Sequence, residues 1–152
     1  MKVCIGGTFN ILHKGHKKLI DKAFETAGEN GSVFIGVTKG EILKNKKFLI
    51  PFDKRVNSIK KYLIEKDYNK QAIIKPIYDI YGEAVDKEYE AIITSVETVE
   101  NAKKINEKRI KEGIKPLKII TIDLVLAKDN KLISSTRIFN KEIDDEGKKL
   151  NK

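Results

Sequence analysis

Apolar residues come along this chain in two patterns, short unbroken runs and stripes at helical spacing, and the two alternate. Residues 2–6, with Val3, Cys4 and Ile5 in succession, read as a short buried strand. Residues 15–27 read as a helix, because Leu19, Ile20, Ala23, Phe24 and Ala27 fall on one stripe. The turn residues Gly28-Glu29-Asn30-Gly31 stop it, and residues 32–38, with Val33, Phe34, Ile35 and Val37, form a second strand. A basic connector spans residues 39–51, and the recurrence of Phe52, Val56, Ile59 and Leu63 then predicts a helix over about residues 52–66. Residues 72–77 give a third strand, left through a loop marked by Pro76 and Gly82.

The second half continues the alternation. A fourth strand is expected over residues 91–95 and a strongly polar helix over 97–112, closed by Gly113 and Pro116. Its acidic residues come early and Lys103, Lys104, Lys108, Arg109 and Lys111 late, the order a helix dipole favours. A fifth strand over residues 117–127 is long enough to bend, Asp129-Asn130-Lys131 makes a turn, and Ser134 or Ser135 caps the next helix. The polar tail after Asp144 is expected to fray. Strands separated by helical segments predict one Rossmann-like α/β domain over residues 1–152, a five-stranded parallel sheet with helices on both faces. Ligands of such sheets bind outside the carboxyl ends of the strands, where the Gly6-Gly7 and Thr94-Ser95 loops would lie.

Composition narrows the function without naming it. A net charge of +9 favours an anionic partner, but the lysines are spread over every helix, which reads first as a solvated surface. Charged residues make up 35% of the chain, as in heat-adapted proteins that use ion-pair networks, although a lysine- and isoleucine-favouring genome would produce the same figure. The single cysteine, Cys4, cannot form an internal disulfide and sits in an apolar run, so a reducing cytoplasm is the expected location. No apolar stretch approaches the roughly 20 residues of a membrane span, and Met1-Lys2 leads into a strand rather than a signal peptide.

Chemistry concentrates in the segment from Gly6 to His16. Glycines at 6 and 7 let the chain turn closely off a strand, Gly15 does so where the helix begins, and His13 and His16 are three apart on one face of its first turn. That turn also presents N–H groups and the positive end of a dipole, so the segment reads as a nucleotide-phosphate site. A Walker A loop and a GxGxxG motif are both absent. Two histidines and one distant cysteine fall short of a metal site, and no nucleophile elbow supports a serine triad.

The run Gly7-Thr8-Phe9-Asn10, then His13-x-Gly15-His16, together with Ile133-Ser134-Ser135-Thr136-Arg137-Ile138, resembles the nucleotidyltransferase superfamily with HxGH and ISSTR signatures. The whole chain is similar to its archaeal phosphopantetheine adenylyltransferases, through Asp79-Ile80-Tyr81-Gly82, Thr94-Ser95-Val96-Glu97-Thr98, Asn106-Glu107-Lys108-Arg109 and Lys115-Pro116-Leu117. The resemblance implies transfer of the adenylyl group of ATP to 4′-phosphopantetheine, giving dephospho-coenzyme A and pyrophosphate, with Mg²⁺ held mainly by ATP. It puts Gly7, Thr8, Phe9, His13, Gly15, His16, Ser134, Ser135, Thr136 and Arg137 around ATP. Thr8, Asn10 and Lys46 fall around phosphopantetheine, and His16, His13, Lys46 and Arg137 act on the reacting phosphates. Lys47 competes with Lys46, and Tyr78, Tyr81 and Arg109 divide between pocket and packing roles. Asn10 stands where the superfamily more often has Asp, which weakens any carboxylate metal ligand there. The histidines' charge is contested, since a helix N-terminus disfavours imidazolium and a triphosphate favours it.

Other acceptors remain open on this reading: nicotinamide mononucleotide, flavin mononucleotide or a phosphorylated alcohol. A basic nucleic-acid-binding domain is a weaker alternative, without an RNP-like aromatic motif or an arginine block. No nucleic acid and no membrane is expected as a partner, and the oligomeric state is left open, a monomer being one option.

Overall fold

The computed structural model describes residues 1–44, 48–86, 88–123, 125–129, 138, 143–144, 146–148 and 150. Five parallel strands form one sheet in the order β3-β2-β1-β4-β5: β1 (Lys2–Gly7), β2 (Ser32–Thr38), β3 (Ala72–Ile77), β4 (Ala91–Ser95) and β5 (Lys118–Ile122). Three α-helices connect them, α1 (Lys14–Ala27), α2 (Phe52–Glu65) and α3 (Val99–Lys111). The expected Rossmann-like α/β fold is therefore present. Pro76 lies in an edge strand, where a missing N–H leaves no central ladder bond unmade.

Strand alternation sends Val3 and Ile5 of β1 to one face and Cys4 to the other. On the first face they join Val33 and Ile35 of β2 and are covered by Ile20, Ala23 and Phe24 of α1 and Ile59 and Leu63 of α2. Cys4, Phe34 and Ile92 pack on the second against Ala102 and Ile105 of α3. Ile5 is 1% exposed, and truncating it to alanine would cost about 2–5 kcal/mol in lost transfer energy and cavity formation. Tyr62 of α2 donates to Asp21 of α1 at 2.6 Å and Tyr68 donates to the same carboxylate oxygen at 3.1 Å, which fixes the two helices against each other.

The pairing between β1 and β4 shapes the site. These central neighbours pair only at Val3↔Ala91 and Cys4↔Ile92. Beyond that point β1 continues beside β2 to Gly7↔Val37 and β4 beside β5 to Ser95↔Ile122, so the sheet parts at its carboxyl end. This is the place where strand order reverses, the switch point at which such folds bind ligands.

One sequence expectation is corrected. The fifth strand ends at Ile122, not at residue 127, because Asp123 interrupts the apolar run and Val125 and Ala127 join Ile138 and Ile143 in a separate small cluster. In the described part of the tail the Asp144 side chain accepts hydrogen bonds from the N–H groups of Glu146 and Lys148.

Candidate active site at the carboxyl end of the sheet

His13 is the N-cap of α1, a position more often held by Ser, Thr, Asp or Asn. Its Nδ1 accepts from the backbone N–H of Gly15 at 3.0 Å and of His16 at 3.4 Å, while His16 Nδ1 accepts from the N–H of His13 at 3.3 Å. The two side chains thus make a capping box out of imidazoles. The expectation of free N–H groups in this turn is corrected accordingly: His13 already takes two of them. Gly15 makes the arrangement possible, since a Cβ there would lie 2.9 Å from Cε1 of the His13 ring.

A nitrogen that accepts from a backbone N–H carries no proton, so these bonds favour the neutral tautomer with its hydrogen on Nε2, most firmly for His13, since the His16 ring also bonds to the Ile11 backbone. The rings stack at 3.8 Å with an interplanar angle of 19°, a spacing unfavourable for two imidazolium ions. Burial lowers the pKa of His13 to about 4. Burial, followed by the neighbouring His13, lowers that of His16 to about 3 against a smaller opposing effect of the Ile11 backbone. Without a ligand, burial thus favours the neutral form of both rings, the side of the contest that the helix start also takes. Phe9 supports it from below, 1% exposed with its ring 5.1 Å from that of His16. Its φ of 50° is costly for a bulky residue, on the order of 1–3 kcal/mol, and burial of the ring offsets this.

Thr8 and Asn10 are held from behind by groups that residue type alone did not reveal. Thr38 at the end of β2 donates its hydroxyl to Thr8 Oγ1 at 3.0 Å, leaving the Thr8 proton available to a ligand. Asn10 accepts from the Ile50 N–H at 2.8 Å and donates to the Phe48 carbonyl at 3.2 Å, so it clamps the segment before α2. An aspartate could make only the first of these bonds. Arg55 of α2 is 1% exposed and donates to the carbonyls of Ile50 (2.8 Å), Thr8 (3.0 Å) and Thr38 (2.8 Å).

On the α3 face of the sheet a cavity of about 430 Å³ runs from Cys4 and Phe34 to Gly7 and Thr8, with Ile77 and Ile105 on its walls. Thr94 and Thr98 are among its lining residues. Burial pushes the Cys4 thiol up to about 12, so this wall is a neutral, unreactive surface.

Residues 4–141 match the family described as cytidylyltransferase-like. The chain belongs to this family. Within it, the phosphopantetheine adenylyltransferase of Archaeoglobus fulgidus is 41% identical over 95% of this chain and 96% of its own length. The bifunctional phosphopantetheine adenylyltransferase/NTP phosphatase of Thermoplasma volcanium is 44% identical over 99% of this chain, which spans only 45% of that relative. A solved structure described as a protein with unknown function from Archaeoglobus fulgidus superposes with a TM-score of 0.72 at 39% identity, covering 81% of this chain and 90% of the other.

Seen as a cytidylyltransferase-like site, the structure gathers Gly7, Thr8, Phe9, Asn10, His13, Gly15 and His16 at the carboxyl end of β1. Phe9 contributes there through its backbone and its support of His16, because its ring is enclosed. Lys46, Lys47, Ser134, Ser135, Thr136 and Arg137 lie outside the described residues. Tyr81 lines the cavity with Lys108 Nζ 4.6 Å from its ring centre, whereas Tyr78 is 61% exposed. Arg109 is not among the residues lining this cavity: it is buried and donates to the carbonyls of Lys115, Ala84, Asp86 and Tyr89. Among the described residues no three His, Cys, Asp or Glu side chains gather closely enough to hold a metal, and no helix is long and apolar enough to cross a membrane.

Proposed function

We propose that this site transfers the adenylyl group of ATP to 4′-phosphopantetheine, yielding dephospho-coenzyme A and pyrophosphate. The observation that carries the reading is a pair of imidazoles stacked at 3.8 Å, each accepting a backbone N–H at Nδ1, on the helix start that follows β1, beside an apolar cavity with Thr8 on its wall. Names of relatives at 41% and 44% identity support the choice of acceptor.

The acceptor phosphate is anionic at neutral pH, so the reaction needs no general base. One of its oxygens bonds to the α-phosphorus of ATP, the bond from that phosphorus to the bridging oxygen breaks, and the electron pair leaves with pyrophosphate. What the site must overcome is repulsion between anions and charge growing on the transferring phosphoryl group, a task for fixed donors. The His16 Nε2–H serves the α-phosphate oxygens, and His13 serves the β/γ side. Thr8 holds the acceptor phosphate through its hydroxyl and N–H, and Lys46 approaches both reacting phosphates as a point charge. Ser134, Ser135, Thr136 and Arg137 grip the β/γ phosphates. The apolar cavity takes the pantetheine arm, whose chain and two amides suit a mostly apolar lining that includes Thr94 and Thr98. The phosphate oxygens of ATP would be the main holders of Mg²⁺, which would neutralise part of their charge.

An acceptor panel tests this. Pyrophosphate release from ATP should require phosphopantetheine and yield dephospho-coenzyme A by mass, and robust release with nicotinamide mononucleotide, flavin mononucleotide or a phospho-alcohol but none with phosphopantetheine would overturn it.

A further inference from the structure

Arg55 donates to all three segments framing the acceptor side of the site: the loop after β1 at Thr8, the end of β2 at Thr38, and the segment before α2 at Ile50. No carboxylate among the described residues lies within ion-pair distance of it. Its neighbours are carbonyls and the Phe52 ring, 5.5 Å from its guanidinium carbon. A guanidinium stays protonated even when buried, so a full positive charge lies one peptide unit behind Thr8, with its Nε and Nη1 held by carbonyls and no carboxylate among the described residues to cancel it.

We propose that Arg55 is the positioning residue of the acceptor-phosphate subsite, fixing Thr8 through its carbonyl and supplying the buried charge that a bound phosphate neutralises. Two features tie the guanidinium to Thr8 specifically. Its Nη1 bridges the carbonyls of Thr8 and Thr38, and the Thr38 hydroxyl also donates to Thr8 Oγ1. Thr8 is thus pinned at both its carbonyl and its hydroxyl oxygen, and its free proton and N–H are left to the ligand. A point charge such as lysine would retain the field but lose the bridge between the carbonyls. Charge and geometry are therefore separable.

The assignment rests on the adenylyl-transfer reading, but half of its test does not. Inorganic phosphate titrated into the full-length protein by calorimetry reports the charge, and kcat with ATP and phosphopantetheine reports the geometry. For Arg55→Lys, phosphate affinity should stay within about threefold while kcat falls on the order of 100-fold at an ATP KM unchanged within about twofold. For Arg55→Met, phosphate affinity should also fall, by about tenfold or more. Circular dichroism at the assay temperature checks folding, and if Arg55→Met does not fold, the lysine variant alone decides. A merely structural arginine would lower Tm in both variants while leaving kcat per folded molecule and phosphate affinity at parental values, and that result would overturn the proposal. A parent protein inactive with phosphopantetheine but active with another acceptor would sink the choice of acceptor, while kcat on that acceptor and phosphate binding would still judge Arg55.

Discussion

Arg55 and Arg109 are both 1% exposed, and both direct their forks at backbone carbonyls, yet they lie at opposite ends of the sheet. Arg109 gathers Ala84, Asp86 and Tyr89, ahead of β4, with Lys115, ahead of β5, at the amino ends of the strands. There β4 is paired with both β1 and β5. Arg55 works at the carboxyl ends, where β1 and β4 have parted and the histidine pair, Thr8 and the cavity come together. The same chemistry therefore closes a structure at one end and braces an open site at the other. Topology, rather than residue type, decides which buried cation can serve catalysis.

Substitutions at the two ends should separate turnover from stability. The largest expected effect is at the open end: His16→Ala should lower kcat by about 10²–10³, as for loss of an oxyanion-type donor, with circular dichroism unchanged. An unaltered kcat would remove His16 from the chemistry. At the closed end, Arg109→Met strips four carbonyls of their donor and should cost about 3 kcal/mol or more of unfolding free energy, with kcat per folded molecule intact. If kcat fell there as steeply as at Arg55, the contrast between the ends would vanish.

Smaller effects sharpen the picture. Gly15→Ala improves helix propensity but drives a Cβ into the His13 ring, so stability should stay nearly level while kcat falls about tenfold. Asn10→Asp removes the donor to Phe48 and should cost about 1 kcal/mol in denaturant unfolding. Acid should act through the histidines. Their folded pKa values, about 4 and 3, lie below the ordinary 6.5, so the unfolded chain binds protons first. The contribution to stability is whole above about pH 6.5 and is lost progressively as pH falls toward the folded values. His13→Asn keeps an N-cap without the titration, so its Tm should decline less than the parent's between pH 7 and 4 (an order-of-magnitude window).

Much of the fold was legible because continuous apolar runs and helical stripes alternate cleanly, and each of the first four strands starts where its run starts. The fifth was read too long, since Val125, Leu126 and Ala127 extend the apolar pattern past Asp123 into a cluster that only tertiary packing creates. At the site, spacing put the two histidines on one face, but no propensity rule names histidine as a cap, so their Nδ1 bonds and tautomers were invisible. Asn10 was legible as a departure from aspartate but not as a clamp, because its partners are backbone groups of a segment 38 and 40 residues away. Arg55 left no trace for a similar reason: its three partners are carbonyls, which every residue type possesses.

The account turns on two neutral imidazoles presenting Nε2–H donors, and long-range ¹⁵N–¹H correlation spectra of the histidine side chains read that directly. Between pH 8 and 5, an approximate window set by the lowered values near 4 and 3, both rings should give the neutral Nε2–H pattern. An imidazolium signature, or an Nδ1–H tautomer, at pH 7 would contradict it.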